Sequence, residues 1–130
     1  MLVIGDVHGC KKTLEALFNK IPKKHKKDIC IAGDLIDRGP DSRGVIKFAI
    51  DNNIQCVMGN HDEWMAFLGE KTLKNMERGA PWMNDMWFLN GGHETVDSYR
   101  DIVEFDGETE EVFDRDTFLE HVKFLKTLPI

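Results

Sequence analysis

Met1-Leu2-Val3-Ile4-Gly5-Asp6, Ile29-Cys30-Ile31-Ala32-Gly33-Asp34 and Ile54-Gln55-Cys56-Val57-Met58-Gly59-Asn60 repeat one local word: a short apolar run, a glycine, then an oxygen-bearing side chain. Short β-branched runs bounded by glycine read as strands. The intervening segments have helical period, with Leu14, Leu17, Phe18 and Ile21 on one face of a helix over about Lys12–Asn19. A second helix over roughly Ser42–Asp51 carries Val45, Ile46, Ala49 and Ile50 on a stripe suited to covering a sheet. Strand, helix, strand, helix, strand predicts an α/β fold with a parallel βαβαβ sheet over residues 1–62. In such sheets ligands bind in the crevice outside the carboxyl ends of the strands, so the three words converge on one place.

Outside this half the signals change. Residues 63–130 read as mainly helical: Trp64, Trp82, Met83, Met86 and Trp87 recur at helical spacing as core candidates, with breaks at Gly69, Gly79 and Asn90-Gly91-Gly92. A last helix follows Asp114 or Asp116 as N-cap, turning Phe118, Leu119, Val122 and Leu125 inward. Between them, residues 101–116 hold eight acidic side chains against one arginine and read as solvated surface.

Composition bounds the function. The 130 residues are 42% hydrophobic and 31% charged with a net charge of −6, which fits one globular domain over residues 1–130 and excludes collagen-like, coiled-coil and disordered classes. No apolar run approaches the roughly 20 residues of a bilayer span. With no secretory signal pattern, the expected location is the cytoplasm. The basic stretch Lys23-Lys24-His25-Lys26-Lys27 is a poor nucleic-acid footprint on an acidic chain, so no nucleic-acid partner is expected. Cys10, Cys30 and Cys56 form no C-x-x-C pair; Cys30 and Cys56 read as small buried hydrophobes.

What converges at the strand ends is Asp6, His8, Asp34, Asp37, Arg38, Asn60 and His61. Carboxylates gathered together repel unless protonated or neutralised by cations. Mixed Asp, Asn and His donors suit a pair of divalent ions such as Mn, Fe, Zn or Mg rather than a thiolate site.

Gly5-Asp6-Val7-His8-Gly9, Gly33-Asp34-Leu35-Ile36-Asp37-Arg38-Gly39 and Gly59-Asn60-His61-Asp62 resemble, in order and interval, the leading signatures of the phosphoprotein phosphatase branch of the calcineurin-like metallophosphoesterases. That branch contains serine/threonine protein phosphatases and symmetrical diadenosine tetraphosphatases. Trp87-Phe88-Leu89-Asn90-Gly91-Gly92, followed by Glu94-Thr95 and Ser98-Tyr99, is similar to bacterial and phage members.

The resemblance implies a metal-dependent phosphoesterase, of serine/threonine protein phosphatase type, using metal-activated water on a phosphorylated peptide or small phosphoester. Symmetrical diadenosine tetraphosphatase is the alternative substrate reading. A catalytically incompetent remnant binding metal or a partner is another. Asp6, His8 and Asp34 are implied as ligands of one ion, and Asp34 with Asn60 as ligands of the second. His61 is implied as general acid, Asp37 as the group orienting it, and Arg38 as the phosphate clamp.

The family's chains continue with a second half that supplies another sheet and further histidine ligands. The resemblance therefore reads this chain as the N-terminal half of the sandwich, a truncated domain with exposed apolar surface and a tendency to homo-oligomerise. Of the remaining histidines, His25 and His121 read as surface residues and His93 as the one candidate extra ligand. Asp62 stands where the family usually has Glu and reads as a helix N-cap.

Overall fold

Three strands do form at the quoted runs in the computed structural model, which describes residues 1–79 and 86–130. β1 (Leu2–Ile4), β2 (Ile29–Ile31) and β3 (Gln55–Cys56) make a parallel sheet in the order β1-β2-β3. Each strand is two or three residues long because the glycine word ends it. α1 (Lys11–Lys20) and α2 (Ser42–Asp51) link them as expected. Asp41 caps α2, its side chain accepting the Gly44 N–H at 2.8 Å.

Side chains alternate across a strand, so Ile29, Ile31 and Cys56 share the buried face. Val3, Cys30 and Gln55 stand side by side in the register on the other face. There Val3 is 64% exposed, Gln55 is exposed and Cys30 is half-buried, so this face of the sheet lies largely open. Among the apolar positions of the first two helices, Leu14, Val45, Ile46 and Ala49 are buried while Leu17 and Ile50 lie exposed at the rim.

α3 (Asn60–Glu77) runs unbroken through Gly69, contrary to the expected break. Gly69 is there for packing: a Cβ on it would stand 2.7 Å from the Val122 side chain of α5 (Arg115–Lys126), so its absence lets the two helices approach closely. The chain does turn at Gly79, with φ of +65°. Trp82 and Met83 lie outside the described residues. Of the other expected core residues, Trp87 is buried and Trp64 half-buried, but Met86 is 58% exposed.

The C-terminal half holds a strand pair among its helices. After a segment kinked at Asn90-Gly91 (Phe88–Gly92) and the short α4 (His93–Asp97), the acidic stretch forms an antiparallel hairpin of β4 (Arg100–Phe105) and β5 (Glu108–Phe113). Its turn is Asp106-Gly107, both residues with positive φ, the conformation that two-residue hairpin loops favour. Most hairpin side chains are exposed, including Ile102 and Phe105 at 78% and 79%. α5 begins at Asp114, whose side chain accepts the Thr117 N–H at 3.1 Å. It buries Phe118, Val122 and Leu125 as expected, with Leu119 half-buried.

His121 is buried rather than on the surface, 2.6 Å from the Tyr99 hydroxyl. Burial pulls its pKa down from the ordinary 6.5 to about 4. Beyond α5, the Pro129 carbonyl accepts the Met58 N–H at 2.6 Å, beside the end of β3.

Candidate metal centre

The three glycine words are laced together by main-chain hydrogen bonds. His8 N–H and Gly9 N–H donate to the carbonyls of Asp34 and Leu35, each at 2.9 Å, and Asp41 N–H donates to Gly9 at 2.9 Å. Gly39 fits against this first loop only because it lacks a side chain; a Cβ there would run into the His8 carbonyl.

The second and third loops are joined by Asp62. Its carboxylate accepts the N–H groups of Asp34 at 2.8 Å, Leu35 at 2.9 Å and Gly59 at 2.9 Å. Asp62 is therefore not the N-cap of α3, which is Gly59; it stands in the first turn and reaches back. Burial pushes its pKa up to about 6, against the pull of those three donors.

The lacing holds backbone that would not stay put unaided. Asp6, His8, Asp34, Asp37 and Arg38 all have φ between +42° and +73°, the left-handed region that non-glycine residues rarely occupy. Such strain gathers at functional sites because surrounding contacts must hold it there.

In this conformation Asp6, His8 and Asp34 each offer a ligand atom within 4.8 Å of the others. The donor set fits a divalent cation: two carboxylates that would otherwise repel, and one imidazole. His8 Nδ1 lies 2.8 Å from the Ile36 carbonyl, a contact that assigns the proton to Nδ1 and leaves Nε2 as the ligating nitrogen. One oxygen of Asp34 accepts the His61 N–H at 3.1 Å, fixing that carboxylate's orientation.

Asn60 is exposed at the first position of α3, between Gly59 and His61, both of which touch Asp34. The structure does not bring the other histidines to this trio: His25 is exposed on the 3-10 turn Lys23–Asp28, and His93 is exposed with its ring 4.6 Å from Phe88.

Beside the trio is a buried pair. Asp37 is fully buried and its Oδ2 lies 2.8 Å from His61 Nδ1; the rings of His61 and His8 meet edge-on at 4.8 Å. Burial raises the Asp37 pKa, opposed by hydrogen bonds from Thr95, His61 and Trp87. The exposed Arg38 donates its N–H to Gly91 at 3.2 Å, and Gly91, with φ of +102°, leaves no room there for a side chain.

Sequence reasoning missed two roles here. Trp87, read as core alone, donates Nε1–H to Asp37 Oδ1 at 2.9 Å, and the Thr95 hydroxyl donates to the same oxygen at 2.6 Å. The available signal was the 87–95 segment itself, whose likeness to phage and bacterial sequences carried no assigned role.

Comparison with known proteins gives this geometry a context. Residues 1–128 match the family model described as calcineurin-like phosphoesterase. A symmetrical bis(5'-nucleosyl)-tetraphosphatase of Neisseria gonorrhoeae is 39% identical over 83 residues, covering 60% of this chain and 30% of that protein. A protein of the same name from Buchnera aphidicola is 45% identical over 62 residues, covering 45% of this chain and 23% of its own length. A crystal structure of a provisionally named diadenosine tetraphosphatase overlays 63% of this chain and 37% of its own, with 30% identity and a TM-score of 0.47. The chain thus spans under a third of the length of these curated relatives.

Proposed function

This chain belongs to the calcineurin-like phosphoesterase family, and from that premise we propose that it carries metal-binding residues of a hydrolase acting on the phosphoanhydride of a dinucleoside polyphosphate. The observation that supports this most is the Asp6, His8 and Asp34 trio, held on strained backbone within reach of one ion. The tetraphosphatases named above supply the substrate class.

Asp6, His8 and Asp34 would hold one divalent ion, and Asp34 with Asn60 would contribute to a second. When bound, such ions lower the pKa of a water and neutralise charge developing on phosphorus. The chain's own groups do the rest. Arg38, exposed at the rim with a planar fork of donors, binds phosphate oxygens. His61, held through Nδ1 by Asp37, keeps Nε2 available to protonate the leaving oxygen. Symmetrical cleavage breaks the central P–O bond of a tetraphosphate; the hydroxyl of water joins one phosphorus, the leaving oxygen gains a proton, and two nucleoside diphosphates result.

The test is hydrolysis of diadenosine tetraphosphate with added Mn²⁺, beside p-nitrophenyl phosphate and a phosphopeptide. Turnover to ADP, lowered at least ~100-fold by His61→Ala and by Asp34→Asn, is the expected result. Preference for the phosphopeptide would restore the serine/threonine phosphatase reading. Absence of turnover with any substrate and metal would reject the proposal.

A further inference from the structure

Resting on the reading just given, we propose that Trp87 and Thr95 are positioning residues for His61, acting through Asp37. Their donors occupy Oδ1 of that carboxylate, so that only Oδ2 faces His61 Nδ1 and the ring is held with Nε2 toward the phosphate.

The geometry is specific. Asp37 is fully buried, and a carboxylate in the interior is retained only where its oxygens are hydrogen-bonded. Oδ1 receives two donors, Trp87 Nε1–H at 2.9 Å and the Thr95 hydroxyl at 2.6 Å, while Oδ2 meets His61 at 2.8 Å. With Oδ1 saturated, rotation of the carboxylate would break two bonds at once. Thr95 also grips the backbone of the same residue: its Oγ1 accepts the Asp37 N–H at 2.9 Å and lies 3.0 Å from Ser42 Oγ, which accepts that N–H too.

Packing alone does not need these polar atoms. Trp87 is fully buried, and a phenylalanine would fill most of its volume without an N–H. Both donors come from the segment that also accepts the Arg38 N–H through Gly91. One short stretch, 87–95, thus holds the two residues at φ of +73° and +70° that sit between the metal trio and α2.

The experiment uses Trp87→Phe, Thr95→Val and Thr95→Ser in the full chain, labelled with ¹⁵N in the imidazoles and free of metal. A long-range ¹H–¹⁵N correlation spectrum reports which ring nitrogen carries the proton, with the His61 signals assigned by their loss in His61→Gln. In the unaltered chain the Nδ1 proton of His61 is expected to be long-lived. In Trp87→Phe and Thr95→Val it should be lost to exchange or share occupancy with Nε2–H, and Thr95→Ser should restore it.

Folded variants whose His61 signals match those of the unaltered chain would overturn the proposal. Each variant is read separately against its own cooperative unfolding transition, so loss of the fold in one leaves the other to decide. In the Mn²⁺ assay the same two variants should lower kcat tenfold or more with KM within twofold. A chain without turnover defeats the functional reading alone, since the spectrum still decides the positioning role.

Discussion

Around Asp62, three N–H groups from two loops converge on one buried carboxylate, whereas around His121 one buried imidazole meets one tyrosine hydroxyl beneath a hairpin that projects into solvent. In the first region side chains hold strained backbone, and the polar contacts determine where the ligands point. In the second, rings such as Tyr99, Phe113 and Phe118 stack edge-on or tilted, and packing keeps the order. The same amount of burial therefore has different consequences: polar contacts govern geometry at the strand ends, and apolar ones govern cohesion under α5.

The strongest way to break this contrast is Asp62→Ala. It strands the buried Leu35 N–H and the half-buried N–H groups of Asp34 and Gly59, and each unsatisfied group costs about 1–3 kcal/mol, so a loss of about 4 kcal/mol is expected in chemical denaturation, together with loss of metal binding by the trio. A loss below about 1 kcal/mol would mean that the loops stand without their carboxylate.

The pH dependence sharpens the comparison, because the two buried groups pull in opposite directions. Unfolded His121 takes up its proton near 6.5 but folded His121 only near 4. Between those values the unfolded chain binds more protons, so this group drains stability as pH falls from 6.5 to 4, by about 3 kcal/mol in full. Asp62 does the reverse: its folded pKa, near 6, exceeds the ordinary 3.8, so its contribution grows as pH falls through 6 and is lost as pH rises. The two nearly offset. His121→Gln should thus lose about 3 kcal/mol less than the parent chain between pH 6.5 and 4, read from urea midpoints across the range. Equal losses would show that His121 is protonated as readily in the fold as outside it.

The smallest effect belongs to the hairpin. Ile102 is 78% exposed, and Ile102→Ser should shift stability by no more than about 0.5 kcal/mol in thermal unfolding. A larger loss would show that the hairpin is packed in solution against something its exposure does not reveal.

Legibility followed the same division. The strand-end words announced themselves because glycine, acid and imidazole recur at matching places, and α2 came out with its bounds as read. The hairpin was misread although Asp106-Gly107 is a strong turn signal, since its strands alternate poorly and half of their residues are charged. His121 was misread because one polar residue on an amphipathic helix does not reveal a buried partner, and Gly69 because a lone glycine reads as a break until a facing helix is known.

By itself the sequence determined the parallel βαβαβ frame, the candidate set Asp6, His8, Asp34, Asp37, Arg38, Asn60 and His61, the bounds of α2, and Asp114 as one of two offered caps for α5. These are local matters of period, turn chemistry and residue type, written within a few positions of one another. Only the tertiary structure decided that Asp62 ties two loops, that Trp87 and Thr95 saturate one oxygen of Asp37, and that His121 is buried against Tyr99. Each of those contacts joins residues 22 to 58 positions apart. A hydrogen bond across such a distance leaves no period in the chain, because its partners are chosen by where helices pack and not by what stands beside them.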